Sequence, residues 1–419
     1  MNILKQNIDW SATGYTDIKT VSQINVVLSH NLRVLSQYVL KTLPNVVSIY
    51  LTGGYASSKG TVAVNGPDVE LISDYDLVVV TNGWASLPNL DPSLLTNLKN
   101  VYSMSGHPVY EFFVWNIHEL HDLPVTKFLY DFQLSQCIYG PDIKCLLPKF
   151  NSQDIPVVDG LRLLFNRVFG ALIPFSPCST SLGLHHSEKR HLTFEAMKLA
   201  LGAFDALLIS ESVYSISPTE SFQAFQKIIA KRFPDNELEP SVFEFVKQAA
   251  SYKLKPSSEV EQAAVDLWFR SRDLAELSFA VSLERLYHMK ATNIDDMILS
   301  FVEQCPHPLT YNFGTVHNFW NNTKCWPNHK MFYKKPTCAF LAARLYLLFS
   351  VNRDGTLNQD MLNTACRVLY THTGLNFRKG SSINIWEQLK QYVLKNTFDP
   401  FSLRFSFQKQ ISRFIEARL

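Results

Sequence analysis

Asp74-Tyr75-Asp76 stands directly before Leu77-Val78-Val79-Val80, a run apolar enough to be a buried strand. Aspartate is depleted in strands, so two at the head of such a run constrain the fold more than any other feature of the chain. In an extended chain, side chains i and i+2 point to one side, which sends Asp74 and Asp76 together and Tyr75 away. Two carboxylates held side by side repel one another unless protons or a cation offset the charge. Hard oxygen ligands on one face suit Mg²⁺, which usually takes one or two protein carboxylates plus substrate phosphates.

The surrounding pattern alternates helix and strand. Val21, Ile24, Leu28, Leu32, Leu35 and Val39 recur at spacings of three and four, predicting a helix over Asp17 to Leu43 that Pro44 ends. A strand is expected from Val46 to Thr52, stopping at Gly53-Gly54. Asn65-Gly66-Pro67 signals a turn, and a second strand is expected from Leu71 to Val80. Asp91 to Lys99 reads as a helix with Asp91 as N-cap and Pro92 at the first helical position. Val109 to Trp115 and Gln136 to Tyr139 read as further strands. After Pro156 only helical patterns remain: Leu161 to Ile173, Leu192 to Ser212, Ser221 to Arg232, Ser241 to Tyr252, Glu259 to Met289, and a block from Thr337 onward. Cys305 to Pro336 reads as a long connection or an irregular cap. The expected fold class is therefore α+β: a mixed β-sheet domain with flanking helices over 1–155, then a large all-α part divided into 156–300 and 301–419.

The glycines supply a second half to the carboxylate pair. Gly53 and Gly54 lack Cβ, so the backbone can turn sharply and approach a ligand closely. A helix starting at Tyr55 or Ala56 would aim free N–H groups at that turn and make an anion site. Ser57, Ser58 and Lys59 would add donors to phosphate oxygens. A phosphate site beside a metal-binding carboxylate pair is what phosphoryl or nucleotidyl transfer needs. A later strand offers a third acid, Glu111, in Val109-Tyr110-Glu111-Phe112-Phe113.

Residues 20–150 resemble the DNA-polymerase-β-type nucleotidyltransferase superfamily, whose signature is a strand, Gly-[Gly/Ser], a short helix, Asp-x-Asp on the next strand and a third acid from a later one. The stretch ELHDLPVTKFLYDFQLSQCIYGPD also resembles bacterial stand-alone nucleotidyltransferases, in which a short helix leads to a strand ending in Tyr-Gly. Three features depart from the usual pattern. Gly54 stands where Ser is commoner, the third acid is Glu, and the gap from Gly54 to Asp74 is long. The extra residues, about Thr61 to Ile72, are expected to form a loop over the nucleotide or a small hairpin.

The resemblance implies a nucleoside triphosphate substrate such as ATP and two Mg²⁺ ions held by Asp74, Asp76 and Glu111. It implies attack of an acceptor hydroxyl on the α-phosphate with loss of pyrophosphate, and Glu111 as proton acceptor. The helical domain would complete the cleft, with Lys198 reaching the β- or γ-phosphate; Arg162 and Arg167 are further candidates. Two alternatives stay open: a non-catalytic sensor or scaffold that keeps the fold, and a toxin or resistance factor that modifies a target by nucleotide addition.

Charge narrows the acceptor. Lys plus Arg is 39 and Asp plus Glu is 37, so the formal net charge is +2 and no global field attracts a polyanion. A small molecule or a protein side chain fits better than a long nucleic acid, whose enzymes usually carry a basic excess. No apolar stretch of about 18 residues predicts a membrane span. Seven scattered cysteines without a CxxC predict free thiols and a cytoplasmic home. His185, His186 and His191 with Lys189 and Arg190 form a basic cluster read as a solvated helix start. The aromatics from Tyr311 to Tyr333 are read as packing, with base stacking as the rarer use.

Overall fold

The computed structural model describes residues 18–304 and 336–396, apart from 58, 66–67, 84, 86–93, 95–96, 102–109, 182, 233–237, 290–292, 375–376 and 378–379. Most of the helix expected over 91–99 lies outside the described residues. So does the aromatic segment 305–335. Backbone contacts divide the chain into one unit comprising Met1–Asn151, Ser251–Ser257 and Leu403–Phe414, and a second comprising Ser152–Ala250, Ser258–Ser402 and Ile415–Leu419.

The first unit is built on a mixed sheet. Helix α1 (Ile18–Thr42) is followed by β1 (Val46–Thr52), a single helical turn α2 (Gly53–Ala56), β2 (Val62–Asn65), β3 (Asp68–Leu71), β4 (Tyr75–Thr81), β5 (Tyr110–Asn116), α3 (Lys127–Asp131) and β6 (Gln136–Tyr139). Four strands lie in the order β5-β4-β1-β6. β1 runs antiparallel to both β4 and β6, whereas β4 and β5 are parallel. β2 and β3 form a separate antiparallel hairpin. The residues between Gly60 and Ile72 therefore make a hairpin, one of the two forms expected of them.

Period two sorts the side chains of the sheet onto two faces. Tyr75, Leu77 and Val79 pack with Ile49, Leu51 and the apolar stripe of α1, namely Ile24, Leu28, Leu32, Leu35 and Val39. Val78, Val80, Phe113 and Trp115 face the other way and join Tyr50, Leu120, Leu129 and Phe132. Burying both faces explains why β1 and β4 read as nearly continuous apolar runs.

The strand expected from Leu71 to Val80 is interrupted. The Ile72 and Ser73 N–H groups donate to the Thr61 carbonyl at 3.0 and 3.3 Å, which takes them out of the main sheet. β3 ends at Leu71 and β4 begins only at Tyr75.

The second unit is helical. Its elements are α4 (Val157–Leu172), α5 (His186–Ser210), α6 (Pro218–Arg232), most of α7 (Leu238–Leu254), α8 (Ser258–Glu261), α9 (Ala264–Tyr287), α10 (Ile294–Gln304), α11 (Pro336–Phe349), α12 (Gln359–Thr373) and α13 (Ser382–Asn396). The helix expected over Glu259 to Met289 is two helices. Gln262 and Ala263 form tighter bonds, to the carbonyls of Glu259 and Val260, and restart the coil at Ala264. Phe175 stacks on Trp268 with centroids 3.7 Å apart, and the Trp268 indole N–H donates to the Ala171 carbonyl at 3.0 Å. Among the described residues, no helix is long and apolar enough to cross a membrane.

Candidate metal centre

The sheet register brings two acids together. Parallel pairing sets Asp76 on β4 directly beside Glu111 on β5. Both belong to the face that continues, two residues further on, as Val78 and Phe113. Directly opposite side chains in a sheet lie only about 5 Å apart at Cβ, so this register forces the two carboxylates into proximity. Asp74 is two residues before Asp76 and shares its face. Asp74, Asp76 and Glu111 each offer a carboxylate oxygen, and these oxygens lie within 4.8 Å of one another. Glu111 is buried, whereas the two aspartates are half-buried. Two half-buried acids thus lie beside a buried one.

This spacing suits a hard divalent cation. At metal–oxygen distances of about 2.0–2.6 Å, two ligand atoms on opposite sides of one ion are at most about 4–5 Å apart. The donor set is all carboxylate oxygen, which favours Mg²⁺, Mn²⁺ or Ca²⁺ over the softer metals.

Gly53 closes the fourth side. Thr52, the last residue of β1, pairs with Asp76, and the chain turns away at Gly53 with φ +68°. A Cβ at Gly53 would lie 2.0 Å from Asp76 Oδ2. No other residue fits there, because a side chain would need both the left-handed backbone region and the space that the carboxylate fills. Gly53 therefore lies against Asp76 as well as making the turn, whereas Gly54 faces Gly60 and Lys59.

The remaining expected phosphate contacts are distributed as follows. α2 is one turn of four residues, so any anion contact rests on individual N–H groups rather than on an aligned helix dipole. The Ser57 hydroxyl donates to the Gly53 carbonyl at 2.8 Å, capping that turn. Ser58 lies outside the described residues. The Lys59 N–H donates to the Gly54 carbonyl at 2.8 Å, folding the polar segment back over the glycines. Lys198 belongs to the helical unit, where its ammonium lies 3.6 Å from Glu195 Oε1 and over the Phe194 ring. Arg162 lies in the same unit, 3.7 Å from Asp159.

Sequence reasoning missed the frame around the acids. Thr61 and Ser73 are both buried, and the Thr61 N–H donates to Ser73 Oγ at 2.8 Å. The Tyr55 hydroxyl donates to the Thr61 carbonyl at 3.3 Å, and its ring lies against Tyr75. Burial pushes the Tyr55 phenol well above its ordinary pKa, and nearby Tyr75 and Asp74 add to the shift. It stays a neutral hydrogen-bond donor at physiological pH. On the opposite face Asn31 donates to the Tyr75 hydroxyl and to the Lys99 carbonyl, both at 2.9 Å, and so ties α1 to the head of β4. The one sequence signal for this frame is a small hydroxyl residue immediately before Asp74.

No family model matches the chain, and no significant match was found among curated proteins or solved structures.

Proposed function

We propose that this protein is a Mg²⁺-dependent nucleotidyltransferase that moves a nucleoside monophosphate from a nucleoside triphosphate to an acceptor hydroxyl. One observation carries the reading: carboxylate oxygens of Asp74, Asp76 and Glu111 converge within 4.8 Å, beside Gly53, whose missing Cβ leaves room for the Asp76 carboxylate. Asp74 and Asp76 would hold the cations and, with them, the triphosphate. Bound Mg²⁺ supplies Lewis acidity toward phosphoryl oxygens and makes a nearby hydroxyl more acidic. The acceptor oxygen forms a bond to the α-phosphorus, the bond from that phosphorus to the bridging oxygen breaks, and pyrophosphate leaves. Glu111 takes the hydroxyl proton. Gly53 and Gly54 let the phosphate chain lie close to the backbone.

The near-neutral chain favours a small molecule or a protein side chain as acceptor over a long nucleic acid. Cys137, Cys145, Cys178 and Cys366 are in no disulfide, which suits a reducing cytoplasm.

The test is incubation of the full chain with labelled ATP, GTP, CTP and UTP, Mg²⁺ and cell lysate. Label transfer with pyrophosphate release is expected. Asp76→Asn should cut transfer by at least about 100-fold, since electrostatic stabilisation is usually the largest catalytic term. Mg²⁺-dependent nucleotide binding without any transfer would replace the enzyme with a sensor. Undiminished transfer by Asp76→Asn would remove the site.

A further inference from the structure

Two of the three acids are placed by the sheet, and the third is not. The β4–β5 ladder begins at Tyr75↔Tyr110 and fixes Asp76 against Glu111. The β1–β4 ladder ends at Thr52↔Asp76. Asp74 precedes both ladders, so strand register does not set its position. What lies immediately before it is the buried knot on Thr61. The Thr61 carbonyl accepts from Ile72 N–H, Ser73 N–H and the Tyr55 hydroxyl. The Thr61 N–H donates in return to Ser73 Oγ. Ser73 is thus joined to Thr61 through both its backbone and its side chain, and Asp74 is the next residue along.

We infer that Ser73 is a positioning residue for the metal centre: its hydroxyl, through Thr61, holds Asp74 within ligand distance of Asp76 and Glu111. The inference rests on the carboxylate reading above and adds a device to it. The circuit is closed. Tyr55 sits in the turn that Gly53 begins, it donates to Thr61, Thr61 is locked to Ser73, and Ser73 leads into Asp74. The glycine turn and the unladdered acid are thereby referred to the same buried backbone group. The hairpin β2–β3 leaves the main sheet, and the chain returns to it just after this knot.

Removing a group that orients a metal ligand typically costs about 10- to 100-fold in metal affinity. The experiment measures Mn²⁺ affinity of the full chain by calorimetric titration, with no nucleotide present, for the wild type, Ser73→Ala, Ser73→Thr and Asp74→Asn. Urea unfolding without metal is followed in parallel. Ser73→Ala is expected to weaken Mn²⁺ binding about 10-fold or more, while Ser73→Thr, which restores a hydroxyl, recovers at least half of the loss on a logarithmic scale. A role in stability alone would lower the unfolding midpoint of Ser73→Ala and leave its Mn²⁺ affinity at the wild-type value, and that result overturns the inference. If Ser73→Ala does not fold, Tyr55→Phe, which removes the phenol bonded to the same carbonyl, carries the comparison, with unchanged affinity again decisive against it. Wild-type protein that binds Mn²⁺ no better than Asp74→Asn would fell the carboxylate reading itself, an outcome distinct from wild-type binding that Ser73→Ala leaves intact.

Discussion

Alanine at Gly53 should damage the carboxylate cluster and the fold by separate routes, and the two can be measured apart. The added Cβ would stand 2.0 Å from Asp76 Oδ2, 2.9 Å from its Cγ and 3.1 Å from its Cβ. Ordinary contact begins near 3.4 Å, so the carboxylate oxygen must retreat by about 1.4 Å, more than the displacement of about 1 Å that can cost about 100-fold in a reaction dependent on geometry. The backbone adds its own cost. Gly53 sits at φ +68°, and a residue with a Cβ loses about 1–2 kcal/mol in the left-handed region. Gly54→Ala is the control, because its Cβ would meet Gly60 Cα at 3.2 Å and Gly60 N at 3.4 Å, contacts that a shift of a few tenths of an ångström relieves. The assay is urea unfolding together with Mn²⁺ titration for both variants. Gly53→Ala should lose about 1–3 kcal/mol of stability and at least about 10-fold in Mn²⁺ affinity. Gly54→Ala should lose less than about 1 kcal/mol, the usual size of a small surface or turn perturbation, and keep its affinity. Wild-type Mn²⁺ affinity in Gly53→Ala, or equal damage from Gly54→Ala, would refute the close-approach argument.

Two further expectations concern the helical unit. Trp268→Ala removes the ring stacked on Phe175 and the indole bond to the Ala171 carbonyl; a loss of about 3–5 kcal/mol is expected in urea unfolding, whereas Trp268→Phe, which keeps an aromatic ring, should cost distinctly less. Glu211 accepts from Arg232 and Arg285, and Arg232 also donates to Glu284 at 2.8 Å. Burial alone would raise the Glu211 carboxyl, but the two guanidinium groups outweigh it and hold the pKa below its ordinary value of 4.5. Its folded-state value is depressed, so its stabilisation is fully present above the unfolded value and is lost as pH falls through the folded one. Glu211→Gln should therefore lower thermal stability at pH 7 by about 1 kcal/mol, the upper end for partly exposed pairs. The variant and the wild type should converge as pH drops below 4.5. A constant difference across that range would show that the effect is not ionic.

How much of the site was legible follows from which interactions are local. Asp74 and Asp76 share a face because alternation is intrinsic to an extended chain, and three residues suffice to read it. Glu111 is recognisable as an acid on a strand, but its partner is not: the parallel register that sets it beside Asp76 is a long-range pairing that no local pattern encodes. The Thr61–Ser73 knot was hidden for another reason. Leu71 and Ile72 are as apolar as the strand that follows, so the sequence reads as one strand from Leu71 to Val80. The diversion of two N–H groups to the Thr61 carbonyl is a tertiary hydrogen bond with no compositional signal. The break at Gln262 and Ala263 was likewise unmarked, since neither glycine nor proline stands there. Lys198 shows the opposite case. Glu195 three residues earlier is a visible helical neighbour, and the pairing found at 3.6 Å is the one that spacing allows.

The parallel β4–β5 pair has a consequence for biosynthesis. The acids are contributed by segments some 35 residues apart, and the second is an outer strand that joins the sheet only after its neighbour exists. A growing polypeptide that has emerged from the ribosome only as far as β4 carries Asp74 and Asp76 without the third acid, Glu111. On the proposed reading, a three-carboxylate site for a divalent ion can form only once Glu111 has emerged, while β6, which pairs with β1, is still to come.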